Sequence, residues 1–172
     1  MQIDLIETLR LRGERVQEAH WQHWLEIGSN PQVMAKMGGT WNEQKAQQKM
    51  QRNCEHWQLH GHGQWLFFNR DNEFIGRGGI RKVNLNGSNE VELGYALMPS
   101  FWGQELAVEI GHKSLSIAFN LFNYSSVVCY ALADNQRSQR VMQKIGFLWE
   151  SNILLAKQPH VLSRYLNPSR IT

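Results

Sequence analysis

Bulky apolar side chains fall at every second position over Val91, Leu93, Tyr95 and Leu97, and then recur at helical spacing through Leu106, Ile110, Ile117 and Leu121. A period of two predicts a strand and a period near 3.6 a helix, so the chain changes element between Leu97 and Leu106. The alternate positions of the strand, Glu90, Glu92, Gly94 and Ala96, carry carboxylates and then small residues, which leaves that face open. Pro99 has no N–H with which to extend a ladder and marks the expected end of the strand, while Gly103 permits a close turn into the helix. A loop running directly into a helix N-terminus aims unpaired backbone N–H groups at one spot, an arrangement suited to binding an anion.

Upstream, residues 6–12 alternate weakly and predict an opening strand. Residues 14–27 place Val16, Ala19, His20, His23, Trp24 and Ile27 on one helical face, closed by Gly28 and Pro31. Thr40-Trp41-Asn42-Glu43 has the form of a capping box opening a second helix, with Ala46, Met50, Cys54 and Trp57 inward and Gly61 and Gly63 at its end. Strands are predicted over residues 64–68 and 74–83, and an Asn86-Gly87 hairpin turn leads into the strand described above. Gly76, Gly78 and Gly79 have no helix behind them, so they predict a bulge or a close backbone approach rather than a phosphate loop. Residues 126–132 form an apolar run of the kind buried on both faces. A short helix with Val141, Met142 and Ile145 stops at Gly146, and residues 147–150, 153–156 and 161–166 predict closing strands around a turn at Lys157-Gln158-Pro159-His160.

With 172 residues, 42% of them hydrophobic, the chain has material for one core and one domain. A net charge of +3 and a pI near 9.0 are spread along the chain without a Lys/Arg run, which gives no basis for a nucleic-acid partner. No apolar run reaches membrane-spanning length, and MQIDLIETLR carries charges where a signal peptide needs an apolar stretch, so a cytoplasmic protein without a membrane partner is expected. Cys54 and Cys129 lie in different elements and predict two reduced, buried thiols. His20 and His23 lack a completing carboxylate or cysteine, and His56, His60 and His62 read as a polar helix end, so no metal is expected.

The segment GYALMPSFWGQELA (94–107), the run Asn135-Gln136-Arg137-Ser138 followed by RVMQKIGF, and the opening ETLRLR resemble the GNAT superfamily of N-acetyltransferases, in particular its RimJ/RimL-like branch. The resemblance covers nearly the whole chain. It implies an α/β (α+β) fold: a single GNAT-like domain over 1–172, with a mixed, twisted central sheet of about seven strands and helices on both faces. It further implies that the Glu92 strand and its successor splay apart to admit the pantetheine arm of acetyl-CoA. The arm would pair with backbone at Leu97 and Met98, and the pyrophosphate would lie over Trp102, Gly103, Gln104, Glu105, Leu106 and Ala107. Asn135 would bond the pantetheine or Ser138. Two positions depart from the pattern: the loop's second glycine is Glu105, and a tyrosine that many members place seven residues after the asparagine is Met142. Glu105 continues the polar face of Glu109, His112, Ser116 and Asn120, so its backbone is expected to be helical and its carboxylate turned to solvent, with CoA binding weakened but present.

Acetyl transfer from a thioester to an amine needs a neutral amine, a hydrogen bond for the developing oxyanion and a proton for the departing thiolate. Glu92 is the first candidate base and Glu90 the second; a backbone N–H at Leu97 or Met98 is the candidate oxyanion donor, and Ser138 the candidate acid. The plainer readings are a solvated sheet carboxylate for either glutamate, a helix cap for Ser138 and an Asx turn for Asn135. At neutral pH roughly a tenth of an α-amine is already deprotonated but under a thousandth of a lysine, so a weakly specified base suits an α-amine. A protein or peptide N-terminus is therefore the expected acceptor, with Trp21, Trp24, Trp41 and Trp57 near its entrance. The alternatives are a small-molecule amine (polyamine, amino acid or antibiotic) or a non-catalytic acyl-CoA-binding domain, for which Glu105 is the main support. A monomer or a homodimer is compatible with the sequence.

Overall fold

The computed structural model describes residues 3–170. Its eight strands are β1 (Leu5–Glu7), β2 (Leu11–Arg15), β3 (Gln64–Asn69), β4 (Phe74–Leu85), β5 (Ser88–Leu97), β6 (Ser126–Leu132), β7 (Leu148–Leu155) and β8 (Gln158–Leu166). Five helices join them: α1 (Trp21–Ser29), α2 (Pro31–Met34), α3 (Glu43–His60), α4 (Leu106–Asn120) and α5 (Gln136–Ile145). The strands form one mixed sheet in the order β1-β2-β3-β4-β5-β6-β8-β7, with β5 and β6 parallel and every other pairing antiparallel.

The opening strand is in fact a hairpin, which raises the strand count from about seven to eight. Thr8 N–H donates to the Leu11 carbonyl at the turn, and β2 runs on to Arg15 because Glu14 and Arg15 pair with Leu66 and Trp65 of β3. The helix expected from residue 14 therefore begins only at Trp21. Val16, Trp24 and Ile27, expected on its inner face, still reach the core. The cap of α3 also lies later than the Thr40 box. Trp41 N–H is committed to the Gly28 carbonyl at 2.8 Å, so the cap is Asn42, whose Oδ1 accepts from Lys45 N–H at 2.8 Å. Gly28 is needed at that crossing, since a Cβ there would lie 2.0 Å from the Trp41 ring.

The β4–β5 hairpin turns at Asn86 and Gly87, both at positive φ as a two-residue turn of this hand requires. The last hairpin turns at Ala156 and Lys157 (φ 47° and 63°), earlier than expected, because pairing of Leu155 with Gln158 leaves two residues to close it. The β4 glycines mark the anticipated close approach: a Cβ on Gly76 would stand 2.3 Å from the Ala96 carbonyl oxygen.

Helices α4 and α5 bring Ile110, Leu115, Ile117, Met142 and Ile145 into a core with Leu93 and Leu97. A second apolar cluster joins Trp24, Ile27 and Trp41 to Leu66, Phe68 and Ala96. The alternation of β5 thus sends Leu93 and Leu97 to one cluster and Ala96 to the other. Only Glu92 and Val128 are in register between β5 and β6, so beyond Glu92 the two strands part and leave residues 93–97 of β5 without a strand neighbour on that side. No helix among the described residues is long and apolar enough to cross a membrane.

His62 and His56 are structural links rather than a solvated helix end. The His62 ring bridges the Ile80 carbonyl and the Tyr124 hydroxyl at 3.1 and 2.7 Å. The His56 ring meets the His62 carbonyl and accepts from Lys82 N–H, both at 2.9 Å. Cys54 is half-buried and Cys129 buried, and neither is in a disulfide.

Candidate active site

The parting of β5 and β6 opens a cleft of about 1120 Å³, lined by residues 92–97 of β5, residues 129–132 of β6, the loop into α4 and the inner face of α5. Successive strand residues turn their N–H and C=O to opposite edges. Met98 N–H donates to the Ile75 carbonyl at 2.9 Å, so it faces β4 and has no free donor for a ligand, contrary to the role expected for it. Leu97 faces the cleft, where its carbonyl accepts from the Trp102 indole N–H at 2.8 Å. Of the two expected oxyanion donors, Leu97 N–H is the one directed into the opening.

At the mouth, Trp102, Gly103, Glu105, Leu106 and Ala107 line the cleft; Gln104 does not. The Gln104 carbonyl instead accepts from Arg10 Nη1 at 2.9 Å, and its side chain donates to the Ser100 carbonyl. Gly103 has φ 80° with open space where a Cβ would project, room for a ligand to approach the backbone. Val108 and Glu109 N–H donate to the Glu105 carbonyl, and the N–H groups of Leu106 and Ala107 lie in the unpaired first turn of α4. These features fit a pyrophosphate.

Glu105 is not helical. It caps α4 in the left-handed conformation (φ 62°, ψ 13°) in which glycine is at ease and a residue with a Cβ is strained. Its carboxylate does lie in solvent, as expected, and there it pairs with Lys144 of α5. That ammonium, with Arg10, holds the Glu105 carboxyl below the usual carboxylate range. Glu109, expected to share its face, is bound instead to the Arg10 backbone N–H and side chain at 2.8 and 2.7 Å.

Helix α5 forms the opposite wall. Asn135 caps it, Oδ1 accepting from Ser138 N–H at 3.2 Å. Ser138 Oγ lies 3.0 Å from the Tyr95 hydroxyl, whose O–H is also 3.2 Å from the Ser138 carbonyl oxygen. Burial raises the Tyr95 pKa well above its ordinary value. The Arg137 guanidinium stands 4.1 Å from the centre of the Trp102 ring, and Lys36, after α2, pairs with Asp134 across the cleft. In sequence Tyr95 is indistinguishable from the apolar face of β5, where its ring alternates with Leu93 and Leu97. A hydroxyl that must find a partner when buried was the available signal.

At the inner end, Glu92 is buried, and its Oε2 accepts from Arg81 Nε at 2.7 Å. Glu92 holds Arg81 protonated above the ordinary guanidinium range, while Tyr130, also lining the cleft, is pushed up to about 12 first by burial and then by Glu92. Glu90 is no second base for this cleft: Arg164 binds both its oxygens at 2.8 and 2.9 Å, and it lines a separate groove beside Tyr124 and Ser126. Trp24, Trp41 and Trp57 are buried in the cores and Trp21 does not line the cleft, whereas Val33, Lys36 and Met37, after α1, do.

Residues 9–148 match the family model for the acetyltransferase (GNAT) domain. The Bacillus subtilis (strain 168) protein YkkB is 24% identical over 132 residues, 76% of this chain and 77% of that one. Among solved structures, RimL, a ribosomal L7/L12 alpha-N-protein acetyltransferase in complex with coenzyme A, has a TM-score of 0.80 at 17% identity, covering 94% of this chain and 97% of that one. Spermidine N-acetyltransferase from Vibrio cholerae, in complex with CoA and spermine, has a TM-score of 0.75 at 12% identity, covering 91% and 95%. The structural likenesses carry the fold, and the sequence match extends over most of the splayed sheet and its anion cradle: the chain belongs to the GNAT family of acetyltransferases.

Proposed function

We propose that this acetyl-CoA-dependent N-acetyltransferase acts on the α-amine of a protein or peptide by direct attack on the thioester. The observation that carries the choice of acceptor is the Arg81–Glu92 pair at 2.7 Å. A carboxylate already accepting from a guanidinium must share that bond to take a proton, which suits an amine that needs little help to become neutral. An α-amine, with a pKa near 7.7 to 8.0, meets that condition far better than a lysine or polyamine near 10.4.

Acetyl-CoA supplies the acetyl group and leaves as the thiol. Leu97 N–H is the donor we assign to the thioester oxygen, and Glu92, directly or through water, takes the proton that the acceptor nitrogen loses as the new C–N bond forms. Ser138 O–H gives its proton to the sulfur as the C–S bond breaks, Tyr95 O–H donates a hydrogen bond to the serine oxygen meanwhile, and the proton held by Glu92 returns to Ser138 through solvent. The first turn of α4, with Gly103 before it, holds the pyrophosphate. Arg137, Arg140 and Lys144 of α5 add positive charge along the same wall.

RimL is described as acting on a protein α-amine and the Vibrio enzyme on spermidine, so both acceptor classes belong in the test. Thiol release from acetyl-CoA is to be followed with a peptide of free N-terminus, the same peptide N-terminally blocked but carrying lysine, and spermidine. The proposal expects turnover with the first alone. Turnover with spermidine and not with the free peptide would replace it by the small-amine reading.

A further inference from the structure

Beneath the acceptor side of the cleft lies more positive charge than the known chemistry requires. Arg77 of β4 is buried, its guanidinium 5.4 Å from the centres of both the Trp24 and Trp41 rings. Nη1 donates to Gln64 Oε1 at 2.6 Å, but Nε is buried without an acceptor. Lys49 of α3 sits 5.2 Å from the centre of the same Trp41 ring, held by that face. Arg81 follows on β4 in the same alternation, lines the cleft and is bound to Glu92.

The cluster reaches the cleft floor through Gln64. Its Nε2 lies 3.4 Å from the position a Cβ on Gly94 would take, and Glu92 Oε1 lies 3.6 Å from the same point. Gly94 and Glu92 both line the cleft. Gln64 thus stands between Arg77 and the place where an acceptor would sit, and among the described residues Glu92 is the carboxylate set against Arg77 and Arg81.

The titration behaviour agrees with this imbalance. Burial, then Arg77, Arg81, Lys45 and Arg52, push the Lys49 pKa down, with no acid among the described residues opposing them. Burial, then Arg81, lower Arg77 to about 10 against the pull of Glu92. A buried cation without a carboxylate of its own is costly in the empty protein and is relieved when an anion arrives. A low-dielectric wall behind it focuses the field into the cleft.

We infer that the acceptor is an anionic amine, a peptide with acidic residues beside its free α-amine, selected by the excess of positive charge in the wall of Arg77, Lys49 and Arg81, which Glu92 offsets only in part. This rests on the peptide α-amine reading above and narrows it. Arg81 is the cation nearest the reacting amine. Arg77 and Lys49 act through the field behind it and are specificity-determining rather than catalytic. The same wall repels a polyamine.

The test compares kcat/KM for three peptides of equal length carrying Glu, Ala or Lys at their second and third positions, with spermidine and free aspartate as further acceptors. The inference expects the Glu peptide to exceed the Lys peptide by at least about tenfold at low salt, the ratio shrinking at ~0.5 M as the exposed charges are screened but staying above unity because Arg77 is buried. Lys49→Gln lowers the Glu-to-Lys ratio and Lys49→Arg restores it, a pattern that a purely structural lysine would not give. Equal rates for all three peptides would overturn the inference and leave the peptide reading standing. Turnover of spermidine alone would overturn both, whereas aspartate outpacing every peptide would keep the anionic amine and remove the peptide.

Discussion

The Tyr95 hydroxyl stands 3.0 Å from Ser138 Oγ, joining β5 to α5 across the open end of the sheet. The tyrosine is half-buried and its pKa raised, so it stays protonated throughout the working range and can donate a hydrogen bond to the serine oxygen as that oxygen loses its proton. Ser138→Ala is expected to lower kcat at least about tenfold with little change in CoA affinity, as befits a donor used chiefly in the transition state. Tyr95→Phe should lower kcat by less, since the serine keeps its own proton. Single-turnover kinetics and calorimetry check both. A Ser138→Ala enzyme with unaltered kcat would leave Asn135 and Ser138 as the cap of α5 and nothing more.

Glu105 gives a prediction with two parts. Its left-handed backbone is strained by a Cβ, and its carboxylate stands at the mouth of the cleft, beside the loop proposed to hold the pyrophosphate of CoA. Glu105→Gly is therefore expected to tighten CoA severalfold without lowering Tm, because relief of the backbone offsets loss of the exposed Lys144 pair. Glu105→Gln isolates the charge while keeping the Cβ. If calorimetry gives the same affinity for all three proteins, repulsion at this position is negligible.

Glu92→Gln should flatten the acidic limb of the pH-rate profile, the base being gone. Glu90→Gln should leave the profile as it is, because Arg164 holds that carboxylate outside the cleft. Retention of the full acidic limb in Glu92→Gln would assign proton removal to water alone.

His62 makes stability depend on pH. Burial lowers its pKa to about 4 from an ordinary 6.5, so between those values the unfolded chain binds the extra proton and the folded chain does not. Stability from this group is fully present above pH 6.5 and lost as pH falls towards 4, by about 3 kcal/mol in all. His62→Gln should blunt that loss in urea titrations at pH 7 and pH 4.5. An equal loss in both proteins would show that other groups govern acid unfolding.

Much of this architecture was legible because it rests on local periodicity. The switch from alternation over residues 91–97 to helical spacing from Leu106 located both the strand and the anion cradle, and Asn86-Gly87 located its hairpin. The errors share a cause, namely pairing between distant segments. Glu14 and Arg15 have helical company in sequence but pair with β3, Met98 N–H is claimed by Ile75, and Ala156 and Lys157 turn because Leu155 must meet Gln158. The site followed the same division. Ser138, Leu97 and Gly103 carry motif-level signals, whereas the Arg81–Glu92 and Glu105–Lys144 pairs join elements whose meeting depends on tertiary packing.

Transfer to an α-amine can be distinguished from transfer to a side chain within a single molecule. One acidic peptide bearing both a free N-terminus and an internal lysine is incubated with the enzyme and acetyl-CoA, and tandem mass spectrometry locates the acetyl group. Acetylation is expected at the N-terminal nitrogen alone. Acetyl on the lysine side chain, or an unmodified peptide while spermidine added to the same mixture is acetylated, would contradict it.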